Sequence, residues 1–260
     1  MTIQFQPLSN DLYSIPKAQI LFQPLGSTEF ELLGDSDTVT IETTVEEVER
    51  YSNETGTKKL AKTITTQIDV EVKMELVQLS DRNRALSLMG ELGYKTQAAL
   101  VAETKSLTAP THDGTLIKLD GHINTSNMVI TDGATTVPYV LDVDYTYDAK
   151  GGFVQLLQVP AGGDLDVEMT FDVAEILVAD KAALIGLGSK PENRGTIIIR
   201  GTNDVGPQTM VTLHDVQIRP DGERSYISDT DLDVMSLVGR VFSDPTQPTG
   251  EELGIEQLIL

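Results

Sequence analysis

Residues Thr63 to Glu75, TITTQIDVEVKME, limit what this chain can fold into more than any other stretch. Ile64, Thr66, Ile68, Val70, Val72 and Met74 fall on the even positions, and Leu76 extends the row. Thr63, Thr65, Gln67, Asp69, Glu71, Lys73 and Glu75 fall on the odd ones. Strand side chains alternate between faces, whereas a helix would scatter both sets around its circumference. The segment is therefore predicted to be an extended strand with one apolar and one wet face. At about 3.3 Å per residue it spans roughly 40 Å, more than twice a typical strand. Such a length suits one wall of a large sheet or barrel.

The flanking patterns agree. Val39, Ile41, Thr43 and Val45 alternate with Thr40, Glu42, Thr44 and Glu46, which predicts a second amphipathic strand. Between the two lies a charged stretch, 46–62, expected to be a long polar hairpin loop that carries an interface. Leu21 to Leu33 has strand-like ends around a kink at Pro24–Gly26. After the long strand, Ser80 or Asp81 can cap a helix of two to three turns with Ala85, Leu86 and Met89 as its apolar stripe, and Gly90 suits the position past its end. From Ile123 the pattern is β again, with turns at Thr131–Gly133 and Lys150–Gly152, read as a meander of hairpins. Leu165, Val167, Met169, Phe171 and Val173 alternate with Asp166, Glu168, Thr170 and Asp172. Residues 174–188 fit strand or helix equally, because short apolar runs do not separate the two. Strands are expected at 196–201, 209–220 and 232–242, and the apolar end IEQLIL follows a Pro/Gly linker and is expected to dock. The fold class is mainly β: a β-sandwich or barrel-forming sheet with a short flanking helix. The chain divides into an N-terminal arm (1–20), a β domain (21–242) with an insertion at 95–135, and a C-terminal linker and apolar end (243–260).

Composition narrows the function. With 40 acidic against 19 basic residues the net charge is −21. A surface this negative repels phosphate and argues against ordinary nucleic-acid binding. There is no Cys, so disulfides and thiolate metal sites are absent. The N-terminus shows no signal-peptide pattern and no run approaches a membrane span, so the chain reads as a soluble protein made in the cytoplasm, without a membrane partner.

Chemistry-bearing motifs are missing. His112, His122 and His214 are isolated and lack metal-ligand spacing. No Ser stands in a nucleophile elbow. Gly186–Lys190 departs from phosphate-loop spacing and is read as a turn. Asp229, Asp231 and Asp233 resemble the start of a calcium loop, but Val234 stands where the loop needs Gly and Arg240 where it needs Glu. The expectation is a non-enzyme with no catalytic residue, no metal and no cofactor.

Several short motifs resemble the major tail tube proteins of tailed bacteriophages. They are Leu25-Gly26-Ser27-Thr28, then Glu46-Glu47-Val48-Glu49-Arg50-Tyr51-Ser52-Asn53-Glu54-Thr55-Gly56, then the long strand and the capped helix from Asp81 to Gly90. Val143 to Ala149 and Val216 to Gly222 are similar to later family segments. The resemblance implies a structural virion protein of the tail, assembled in the host bacterial cytoplasm. It implies self-assembly into rings, usually hexameric, stacked into a hollow tube that conducts DNA without gripping it. Tape-measure, tail-terminator and baseplate proteins are the implied partners. On that footing Asp69, Glu71 and Glu75 are expected to line the lumen, with Asp166, Glu168 and Asp172 as a second set. Glu46, Glu47, Glu49, Arg50, Tyr51, Glu54, Lys58, Lys59 and Lys62 are expected to make the ring-to-ring contact. The alternatives are the tube of a contractile tailocin or secretion apparatus, and a monomeric β-sandwich binding module.

Overall fold

The computed structural model describes residues 13–52, 56–133, 137–230 and 232–259. Most of the N-terminal arm, Glu54 and Asp231 therefore lie outside the described residues. The protein is mainly β, with several antiparallel sheets and one short helix. It divides into two compact units, one formed by 1–92 with 185–260 and one by 93–184. Along the chain the elements are β1 (Ala18–Pro24), β2 (Glu31–Leu32), β3 (Ser36–Ser52), β4 (Lys59–Leu76), α1 (Asp81–Ser87), β5 (Glu91–Tyr94), β6 (Leu100–Leu107), β7 (Thr115–Lys118), β8 (Thr125–Asp132), β9 (Tyr145–Asp148), β10 (Phe153–Leu156), β11 (Val167–Val173), β12 (Ala183–Gly186), β13 (Asn193–Gly201), β14 (Gln208–Pro220), β15 (Met235–Phe242) and β16 (Gly254–Ile259).

The first unit is one large antiparallel sheet in the order β2-β1-β13-β14-β15-β4-β3, with β16 also paired to β14. In this order β2 and β3 stand at opposite ends, yet only Leu33, Gly34 and Asp35 join them. Four Cα steps reach at most about 14 Å. The two ends of the sheet must therefore come close together, and the sheet rolls up. Gly34 makes the corner: its φ is +87°, and a Cβ there would sit 2.1 Å from Gln78 Oε1. Inside the roll Ile20, Phe22, Val72, Met74, Leu76, Ile197, Val216, Ile218 and Leu237 are buried, with Leu86 of α1 packed against them. The helix is capped as the sequence predicts, Asn83 N–H donating to Ser80 Oγ at 3.1 Å. Its end differs from expectation, since Met89 takes the left-handed conformation at φ 46°. Gly90 is needed for close approach instead: a Cβ would lie 2.4 Å from Ile185 Cγ2. The apolar C-terminal end docks on its own sheet as β16, whose residues 254–259 pair with 213–208 of β14.

The second unit holds two three-stranded sheets, β7-β10-β9 and β6-β11-β8. Val154, Leu156, Val167, Met169 and Phe171 are among its buried core, so the apolar face predicted for 165–173 is the buried one from Val167 on, while Leu165 is 52% exposed. The insertion expected at 95–135 covers only part of this unit, which runs from 93 to 184. The meander is also corrected. The β9–β10 hairpin forms around Ala149–Gly152, but β8 pairs with β11 and not with β9. After β8 the chain does turn back, Asp132 N–H donating to the Val137 carbonyl at 3.0 Å and Tyr139 N–H to that of Ile130 at 2.8 Å. The buried Asp132 carboxylate braces the turn by accepting Val137 N–H and Asp164 N–H, both at 2.8 Å. The return is short, a single antiparallel bridge joining Thr131 and Pro138, so β8 finds its long partner in β11.

Candidate functional site

The charged stretch 46–62 is strand, not loop, at 46–52 and 59–62. β3 continues to Ser52 and β4 begins at Lys59, and the two remain paired down to Ser52↔Lys59. The reason is local: Val45 faces Ile68, Val48 faces Ile64 and Tyr51 faces Leu60 across the ladder, and these apolar pairs offset the many charges. On its other side β4 pairs with β15 only through Glu71–Leu76. Beyond that point β3 and β4 form a two-stranded arm with, among the described residues, no other neighbouring strand in the sheet. At about 3.3 Å per residue the β4 side of the arm measures roughly 35 Å.

Two bulges reverse the chemistry of its faces. Between Glu46↔Gln67 and Glu47↔Thr65 an extra residue, Thr66, sits on β4, and between Arg50↔Lys62 and Tyr51↔Leu60 the extra residue is Ala61. From Thr38 on, β3 itself has no insertion, so its side chains alternate strictly. Val39, Ile41 and Val45 therefore share a face with Glu47, Glu49 and Tyr51. Tyr51 Oη donates to Glu49 Oε2 at 2.7 Å along this face, and that carboxylate holds the phenol pKa above its ordinary value. The opposite face carries Glu42, Thr44 and Glu46, then Val48 over Ile64, Arg50 over Lys62, and Ser52 over Lys59. Ile64 thus leaves the apolar face that the sequence alternation assigned to it, because a bulge shifts one strand by one residue against its partner. Val48 and Ile64 are 57% and 49% exposed. Among the described residues Glu46, Glu47, Arg50, Lys58, Lys59 and Lys62 make no ion pair; Glu54 lies outside them.

The wet face nearer the roll is engaged differently. Asp69 accepts from Gln67 and, at 3.1 Å, from Arg240 on β15, and these hydrogen bonds hold its carboxyl below the usual range. Lys73 Nζ donates to Glu42 Oε2 at 2.8 Å, which lowers the Glu42 pKa and raises that of Lys73. Glu75 accepts from Thr38 Oγ1 at 2.8 Å, and Glu71 stands directly opposite Glu42. Asp69, Glu71 and Glu75 therefore do share a face, but one interleaved with Lys73 and Arg240. Lys73 already stands on the wet row of the alternation, whereas Arg240 was missed because it comes from a strand whose pairing no local pattern reveals.

The second acidic set belongs to the other unit. Asp166 accepts Ala109 N–H at 2.9 Å, and Asp172 accepts Ala102 N–H and the Asn127 amide at 2.8 and 2.6 Å. Those bonds lower the Asp172 pKa. Glu168 is exposed on β11.

Elsewhere, His112 bonds Tyr139 Oη and Pro110 O, and Asp233 pairs with Arg224 at 3.0 Å. Among the described residues no group of three or more His, Asp or Glu could hold a metal ion. A family model described as protein of unknown function UCP028589 matches residues 19–255, which takes in both units and the arm. No curated protein matches the chain.

Proposed function

The chain belongs to the family described as protein of unknown function UCP028589, and from that premise we propose that it is a structural protein, a phage major tail tube subunit that self-assembles into stacked rings. The observation that carries this reading is the β3–β4 arm. A lone two-stranded ribbon is marginal in water. Among the described residues this one has free strand edges on both sides, half-exposed apolar pairs, and a run of charges without ion partners. Edges of that kind are templates for pairing with another chain, and a monomer leaves them unused. The arm is the proposed ring-to-ring contact, because stacking in one direction needs a protruding element that meets a different surface on the next copy.

Asp69, Glu71 and Glu75 are the proposed lumen face, with Asp166, Glu168 and Asp172 as a second acidic set. DNA passing such a wall gains nothing from counterion release. No catalytic step enters the proposal. Negative-stain imaging with light scattering across a concentration series tests it. Tubes or stacked rings with an open channel are expected. A chain that stays monomeric at every concentration overturns assembly and points to a monomeric binding module.

A further inference from the structure

The face of the arm that carries Val48 and Ile64 is basic beyond the first bulge, with Arg50, Lys59 and Lys62. This is unusual in a chain of net charge −21. Arg50 and Lys62 are also directly cross-strand partners. Like charges in that position repel and weaken an isolated ribbon. An arrangement that penalises the free arm suits one that meets negative charge when docked.

The complementary surface is present at the other end of the same sheet. From Ala18 to Glu49 there are eight acidic residues and no basic one. Within that stretch Leu25 to Leu32 is continuously exposed. Leu25, Phe30 and Leu32 are 76%, 42% and 55% exposed, and Glu29 and Glu31 lie between them. Glu31 has one ionic partner, Arg82, at 3.0 Å, and Glu29 has none among the described residues. β2, only two residues long, pairs with β1 on one side and ends the sheet on the other, so its outer edge is open. The patch thus offers an apolar centre, an acidic rim and a free strand edge. The arm offers an apolar pair, a basic rim and a free strand edge. An apolar core within a charged, complementary rim is the usual anatomy of a specific interface.

We propose that the Val48/Ile64 face of the arm docks on the Leu25–Leu32 segment of a second copy of this chain. The contact is head-to-tail, since each copy supplies an arm to one neighbour and a β2 edge to another, and a contact of that kind propagates. It rests on the assembly reading above and goes beyond it by naming the receiving surface.

The test uses three full-length proteins: wild type, R50E/K62E and E29K/E31K. Each variant alone is expected to lose sedimentable assembly by about tenfold or more, because reversed charge at a docked rim costs more than 1.4 kcal/mol. Mixed one to one, the two variants are expected to co-assemble, since reversed arm meets reversed patch and native arm meets native patch. Melting curves establish that each is folded. A single R50E change supplies a second readout: it removes the repulsion with Lys62, so thermal stability holds or rises while assembly falls. Because the chain has no Cys, V48C and F30C proteins mixed and oxidised should give a disulfide-linked heterodimer in excess over either homodimer. Wild-type tubes with no rescue in the mixture and no V48C–F30C crosslink overturn the named surface and leave the tube reading standing. A wild type that never assembles removes both.

Discussion

Two carboxylates in the second unit show how the same side chain serves different ends. Asp132 is buried and braces the turn after β8, satisfying two backbone N–H groups that would otherwise be orphaned. Asp132→Ala is expected to destabilise the protein by about 1–3 kcal/mol, read as a lower urea midpoint. Asp172 is half-buried and accepts from Ala102 N–H, chiefly, and from Asn127, and both favour the ionised form. Its folded pKa lies below the ordinary 3.8, so its contribution is fully present above that value and is lost as pH falls through the folded pKa. Melting temperature followed from pH 6 down to about pH 2 should therefore fall less steeply in Asp172→Asn than in the wild type. Equal slopes in the two proteins would sink that assignment.

At the scale of elements, the corner between β2 and β3 carries the roll of the sheet. Gly34→Ala forces a left-handed φ on a residue with a Cβ and drives it into Gln78. The expected loss is about 1–3 kcal/mol in urea denaturation, and an unchanged midpoint would show that the corner relaxes freely. This corner was invisible in the sequence, because Leu33-Gly34-Asp35 looks like any loop until the strand order is known. What was legible followed from short-range pattern: β4, β3, the Ser80 cap and the buried face of β11 all rest on alternation or on neighbours within four residues. What was not legible came from pairing. Nothing local in 46–66 announces that Thr66 and Ala61 are bulged, so the charged stretch looked like a loop and Ile64 was assigned to the wrong face. The tube reading drew on the same arm residues, Glu46 to Lys62, yet the division of that arm into an acidic and a basic side emerges only from its register.

At the scale of the molecule, the second unit enters and leaves through hydrogen-bonded neighbours. Lys95 N–H donates to the Ala182 carbonyl at 2.8 Å, and β5 pairs with β12. Unit ends this close allow excision with little strain. Replacing residues 96–181 by Asn-Gly, a two-residue turn that suits a hairpin, is expected to leave the first unit folded. Urea denaturation should show a single cooperative transition with a smaller m-value, in proportion to the surface removed. A product without a cooperative transition would mean that the first unit depends on the second.

The first unit is discontinuous along the chain, and this has a consequence during synthesis. Its arm and β4 lie before residue 92, but β13 to β16, which occupy the centre of its sheet, come after residue 185. At roughly 5–20 residues per second the ribosome needs on the order of 5–20 s between those points. Throughout that interval β4 waits on a nascent chain with its apolar side uncovered, while the second unit is being made. Neighbouring nascent chains on one messenger then face each other with unfinished sheets. The eight acids and absent bases of residues 18–49 give those chains mutual repulsion at the time when premature strand exchange is most dangerous.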